Sequence, residues 1–203
     1  MQPFDEDRFS FPEESYQKEI EQLKEILEAL GITESHLPQK ELDIGKTARR
    51  VLKWWWEMTR GLSTSPPKVT VFELEYEHDQ ILLTKDIDFV SVCSHHLAPF
   101  RGKACVAYIP DKLVCGLSKP ARVLDWFAAR PQTQELLTKQ VAEYLFEKLH
   151  PKGVAVVLEA EHTCVQCRGA RKPNAKFVTS KLLGVFAKDS AAREEVLRLM
   201  RPT

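Results

Sequence analysis

The sequence predicts an α+β protein. Apolar residues recur at helical spacing up to about residue 58, and after Pro67 the pattern becomes strand-like around one central pair of helices. The chain has 203 residues, 43% of them hydrophobic, enough to bury a core without a disulfide framework. Its 29 basic and 29 acidic side chains cancel, so no sequence-wide basic surface for nucleic acid exists.

Residues 1–12, with Pro3, Pro12 and alternating charge, read as a flexible arm. From Glu13 to Leu30 a stripe of Ile20, Leu23, Ile26, Leu27 and Leu30 predicts a helix, closed by Gly31. Thr47 to Met58 predicts a second, with Val51, Leu52, Trp55 and Met58 on one face. Trp54 and Trp56 cannot share that face and call for burial against another element or subunit. Pro66-Pro67 ends this region, so residues 1–66 are assigned to an N-terminal arm with helices and 67–203 to a larger domain.

In that domain, 70–77, 81–92, 103–109 and 113–117 are strand-like. Two helices follow, at about 119–129 and 132–149, the second striped by Leu136, Val141, Leu145 and Leu149. The apolar run Gly153 to Ala160 predicts a buried strand, Phe177 to Phe186 a partner for it, and Ser190 to Met200 a closing helix.

Charge is unevenly spread. Residues 1–41 carry eleven acidic and four basic groups, a local net of −7, which leaves the remainder cationic and able to host an anion. The longest apolar run, Val154 to Leu158, is far short of a membrane span. The first ten residues, MQPFDEDRFS, lack the basic and apolar regions of a secretory signal. A cytoplasmic protein that engages neither membrane nor nucleic acid is the expectation.

Chemistry concentrates in three places. Cys93-Ser94-His95-His96 can aim a thiolate and an imidazole at one metal, and His162-Thr163-Cys164 supplies a further thiol. Two cysteines and one histidine leave the fourth tetrahedral position open, as in a catalytic zinc site. His95 and His162 are then spare imidazoles able to move protons beside the metal. His36, His78 and His150 lack such neighbours and read as surface residues.

The second place is cationic. Ser118 and Lys119 at a helix start, Arg122 one turn later, and Arg168 with Arg171, Lys172, Lys176 and Lys181 behind it could meet a polyphosphate. No G-x-x-x-x-G-K-[ST] is present, so this is not a P-loop. The third is Gln134-Glu135, where a carboxylate can accept from the ring N–H and amine of guanine and an amide can assist.

Together these segments resemble GTP cyclohydrolase I from about Leu42 to Leu199. The resemblance rests on Thr47-Ala48-Arg49-Arg50-Val51, Cys93 through Lys103, Ala107-Tyr108-Ile109-Pro110, Gly116 through Lys119 and Arg130 through Glu135. It continues through His162-Thr163-Cys164, Arg168-Gly169, Val178-Thr179-Ser180 and Gly184-Val185-Phe186. It implies the tunnelling fold (T-fold), an antiparallel sheet with a helical pair whose copies pool strands into a barrel within a toroidal homo-oligomer, commonly a decamer. It also implies zinc-dependent hydrolysis of GTP to 7,8-dihydroneopterin triphosphate and formate, a step of pterin biosynthesis. Water attacks guanine C8, the ring opens, the ribose rearranges and the pterin ring closes.

Carried onto this sequence, the zinc ligands are Cys93, His96 and Cys164, and the proton-transfer residues are His95 and His162. Gln134 and Glu135 hold the guanine edge. Ser118, Lys119, Arg122 and Arg168 hold ribose and triphosphate. The chain departs from the family pattern at Ser94, usually Glu, at Thr133, usually aliphatic, and at Asn174-Ala175-Lys176-Phe177, usually Ser/Thr-rich. Cys105, Cys115 and Cys167 receive no role. Three competing readings are disfavoured. A nucleobase deaminase needs H-x-E and P-C-x-x-C, but Leu97 lies two residues after His95 and Thr163 precedes Cys164. A non-catalytic purine or pterin binder would not need all the catalytic positions. A structural zinc protein would show four protein ligands.

Overall fold

A computed structural model describes residues 11–33 and 43–201. The first ten residues of the expected arm, together with His36, lie outside that range. The chain divides into two compact units, one ending at Arg60 and the other beginning at Gly61.

The first unit pairs helix α1 (Gln17–Ala29) with helix α2 (Ile44–Thr59). Helix α1 buries Ile20 and stops before Gly31, whose φ of +79° suits the residue without a Cβ. Helix α2 starts at Asp43, whose carboxylate accepts from the Lys46 amide at 2.6 Å and so satisfies one of the free N–H groups of the first turn. Trp54, Trp55 and Trp56 are all half-buried, and Trp56 meets the edge of Phe11 at 5.8 Å.

The second unit is built on a five-stranded sheet. Its strands are β2 (Leu82–Cys93), β3 (Pro99–Ile109), β5 (Pro131–Gln132), β6 (Gly153–His162) and β7 (Phe177–Gly184), in the order β5-β2-β3-β6-β7. All neighbours are antiparallel except the two-residue β5, which runs parallel to the end of β2. Helices α3 (Lys119–Ala128) and α4 (Gln134–Leu149) cover one face. Phe89, Phe100, Val106 and Leu158 of the sheet meet Leu124, Leu137 and Leu145 there, each 3% exposed or less. Helix α4 is capped by the Thr133 hydroxyl, which accepts from the Leu136 amide, and ends at His150 in the left-handed region.

The opposite face is covered only in part. Short α6 (Val185–Lys188) and α7 (Ser190–Leu199) seal Ala107, Ala155, Phe186 and Val196. Beside them lies an open cavity of about 760 Å³. Its floor carries alternating charge across the strands: Asp88 meets Lys103 at 3.6 Å, and Lys176 meets Glu159 at 2.7 Å. Gly102 lets β3 and β6 approach here, because a Cβ at that position would lie 1.9 Å from the Glu159 carbonyl oxygen.

Several elements differ from the sequence expectation. Only Val71–Glu73 of the expected strand 70–77 pairs; as β1 it forms a separate two-stranded sheet with β4 (Leu113–Cys115). Strand β3 begins at Pro99 rather than Lys103. The expected strand 177–186 stops at Gly184, whose φ of +62° turns the chain into α6. Among the described residues, no helix is long and apolar enough to cross a membrane.

Candidate metal and proton-transfer site

Three chain segments converge at one end of the sheet. Strand β2 ends at Cys93, and a tight turn to Pro99 follows, closed by the Cys93 amide on the Ala98 carbonyl at 2.8 Å and the Leu97 amide on the Cys93 carbonyl at 2.8 Å. Leu97 takes a positive φ of 50° to make the turn. Phe100 lies directly opposite His162, where β6 ends. The chain then enters the single-turn helix α5 (Thr163–Gln166), which carries Cys164, and the Thr163 hydroxyl donates to the Pro99 carbonyl at 2.7 Å. Hairpin register thus brings together cysteines 71 residues apart in sequence.

The donor atoms of Cys93, His162 and Cys164 lie within 4.8 Å of one another. The Cys93 sulfur also lies 3.6 Å from His95 Nδ1 and 3.9 Å from His96 Nδ1. Cys93 is buried, whereas His95 and His96 are exposed on the turn. Burial pushes the Cys164 thiol above its ordinary pKa, and the neighbouring Cys93 adds to this. Two sulfurs with imidazoles at hand form a donor set suited to a divalent, borderline-soft cation, whose charge would relieve the repulsion between thiolates.

His162 is half-buried and held by three neighbours. Its ring stacks on Phe100 with centroids 4.5 Å apart and planes 4° off parallel, and Phe177 meets it edge-on at 6.1 Å. Its Nε2 lies 2.9 Å from Gln134 Oε1. Burial holds its pKa below the ordinary imidazole value, while the Glu135 carboxylate pulls in the opposite direction. Gln134 is 1% exposed and Glu135 is exposed; successive helical residues point ~100° apart, which lets one face the core and the next face solvent. Arg168 is exposed just beyond α5, close enough to act on Cys164 electrostatically.

Ser118, Lys119 and Arg122 are elsewhere. They sit at the start of α3, whose ten residues span about 15 Å. The residues after the far end of α3 form β5, which pairs with Val92 and Cys93. The basic group therefore lies at the opposite end of the helix from the cysteines. The Ser118 hydroxyl makes no cap bond to its own helix.

Four residues around His162 and Gln134 escaped the sequence reading: Phe100, Thr138, Phe177 and Thr179. Phe100 and Thr179 lie inside motifs quoted above, but neither carries chemistry that singles it out. Phe177 sits in the segment that departs from the family pattern. The cysteines without a role have ordinary partners: Cys167 donates to the Thr163 carbonyl one turn back, Cys105 to the Met200 carbonyl, and Cys115 shares a hydrogen bond with the Tyr108 hydroxyl. His150 is exposed, as expected, but His78 is half-buried against Tyr76.

Known proteins share this arrangement of sequence. The family model described as GTP cyclohydrolase I matches residues 20–201. GTP cyclohydrolase 1 of Sulfurihydrogenibium sp. (strain YO3AOP1) is 51% identical over 154 residues, 76% of this chain and 81% of the relative. GTP cyclohydrolase 1 of Carboxydothermus hydrogenoformans is 47% identical over 86% of this chain and 89% of its own. That of Bacillus subtilis (strain 168) is 48% identical over 89% of this chain and 93% of its own. With a family match spanning nearly the whole second unit and its cysteine–histidine cluster, the chain belongs to the GTP cyclohydrolase I family.

Proposed function

We propose that the chain is a zinc-dependent enzyme of pterin biosynthesis that hydrolyses GTP to 7,8-dihydroneopterin triphosphate and formate. The observation that carries this reading is the convergence of Cys93, Cys164 and three imidazoles at the end of β2, β3 and β6, in a chain of this family. Residues 67–203 are the catalytic domain, and residues 1–66 an arm with helices.

Cys93, His96 and Cys164 hold the zinc. The resemblance assigns His96 as the third ligand, and its Nδ1, 3.9 Å from Cys93 Sγ, is near enough to support that assignment. When bound, zinc supplies Lewis-acid activation of water near neutral pH. His162 and His95 move protons as the guanine C8–N bonds break and, after formate leaves, as the ribose rearranges and the pterin ring closes. Phe100 keeps the His162 imidazole in one plane for this work. Glu135 receives the guanine edge, with Gln134 behind it. Arg168, Ser118, Lys119 and Arg122 take the ribose and triphosphate, so that binding energy far from the guanine positions the reacting ring.

One copy does not bring all of these groups together, since α3 separates Ser118 and Lys119 from Cys93. We assign the second set to a neighbouring copy in a toroidal homo-oligomer, a decamer, whose sheets close into the T-fold barrel. Val90 and Val178, 50% and 56% exposed on the open sheet face, support such closure. A cytoplasmic enzyme fits this assignment.

Zinc-loaded protein incubated with GTP is expected to release formate and, after oxidation, to give fluorescent neopterin; neither product would overturn the reading. In the same assay His162→Ala keeps its zinc and loses turnover by about 10²–10⁴-fold, whereas His96→Ala loses zinc. Zinc loss in His162→Ala, with zinc kept in His96→Ala, would exchange their roles.

A further inference from the structure

The amide of Gln134 has no freedom of orientation. Its nitrogen lies 3.1 Å from the Leu158 carbonyl oxygen and 2.9 Å from the Phe177 carbonyl oxygen, with Thr179 Oγ1 at 3.1 Å. Main-chain carbonyls only accept, so the NH2 must face them. Turning the amide over would set its oxygen against two other oxygens, at a residue only 1% exposed.

The surrounding hydrogens are fixed as well. Thr138 Oγ1 donates to the Gln134 main-chain carbonyl at 2.7 Å, which uses its single hydrogen. The 2.6 Å bond between the two threonines therefore runs from Thr179 to Thr138, and Thr179 stands as a third acceptor sharing the two hydrogens of the Gln134 NH2 with the carbonyls. Each donor has an acceptor, and the direction of each bond follows from the carbonyls.

Gln134 Oε1 then faces His162 Nε2 at 2.9 Å, and an oxygen there requires a hydrogen on the nitrogen. We infer that Gln134 is a positioning residue: its amide, oriented by main-chain carbonyls, holds His162 as the Nε2–H tautomer and leaves the lone pair on Nδ1. This rests on reading His162 as a proton-transfer group. It also divides the Gln134-Glu135 pair, the exposed carboxylate serving the guanine and the buried amide serving the histidine.

Zinc-loaded enzyme with 15N-labelled histidine, studied by magic-angle-spinning NMR at mildly alkaline pH, reads the tautomer directly, with the His162 signals assigned from their loss in His162→Ala. The expected result is one neutral tautomer with the hydrogen on Nε2. A hydrogen on Nδ1, or a mixture, overturns the inference. Kinetics give a second arm. Gln134→Leu is expected to lower kcat by about 10²-fold with KM for GTP changed by less than about threefold. A raised KM with kcat preserved would place Gln134 on the guanine instead and overturn it. Combined with His162→Ala, Gln134→Leu should cost less than about twofold more, because it acts only through that ring. If Gln134→Leu does not fold, the wild-type NMR still decides. The tautomer is read without turnover, so an enzyme inactive on GTP would sink the proposed function and leave this measurement standing.

Discussion

Tyr108 shows how one buried side chain ties stability to pH. It is 6% exposed, its hydroxyl accepts from the Cys115 amide at 3.3 Å, and burial pushes its pKa from 10.0 up to about 12. A phenol that stays protonated longer in the folded state stabilises fully below pH ~10 and loses that contribution as pH rises through ~12. Two units correspond to about 2–3 kcal/mol. Denaturant titrations between pH 9 and 12 (about the range of the two pKa values) should show stability falling by this amount. In Tyr108→Phe the fall should be smaller by that amount, on a lower baseline because the Cys115 amide loses its partner. An unchanged slope would mean that Tyr108 titrates normally. At this scale sequence was informative where function needs a recognisable donor. Cys93 and Cys164 are legible as a pair because histidines stand within three residues of each, and the structure groups the two sulfurs with His162, where the local Cys-x-x-His spacing points to His96. The Gln134–His162 bond is not legible: its partners are 28 residues apart, and a buried amide reads the same whether it faces a base or a ring nitrogen.

Among the elements, β3 and β6 carry the tightest constraint. Their close approach at Gly102 fixes the register that sets Phe100 opposite His162 two residues away. Gly102→Ala should therefore prise the pair apart, costing about 2 kcal/mol or more, and should weaken metal retention at the proposed zinc site. Thermal unfolding and metal content after dialysis check both, and a wild-type melting temperature would refute the constraint. Long periodic segments were readable: α4 and β6 bury Val141, Leu145, Leu149, Val156 and Leu158 as their patterns predict, whereas Leu136, expected on the same stripe, is 43% exposed in the first turn of α4. Short ones were not. Alternation over 70–77 suggests a long strand, yet β1 pairs at three residues, because pairing depends on a partner such as the equally short β4. Two-residue β5 and four-residue α5 are too brief to express any period, although they position Gln132 and Cys164.

For the whole molecule, the separation of Ser118 and Lys119 from Cys93 makes the site a test of assembly. If the two halves come from different copies, His162→Ala and Lys119→Ala, each inactive alone, should complement when unfolded together and reassembled. Random mixing predicts roughly a quarter of wild-type turnover, the share of sites that draw each intact half from a different copy. No recovery would mean that each chain owns a complete site. The α+β class was legible from pattern alone, but this division of labour was not, because charge clusters in sequence say nothing about which end of a helix faces the metal.

The stacking of His162 on Phe100 has a consequence for the order of events in catalysis. If His162 carries protons as proposed, a ring stacked on Phe100, met edge-on by Phe177 and tethered at Nε2 has a single doorway for them. Whatever it gives up must leave, and whatever it takes must enter, through Nδ1. In the proposed reaction the donor and recipient would then occupy the same spot in succession, and the substrate, rather than the imidazole, would do the moving between ring opening and ring closure.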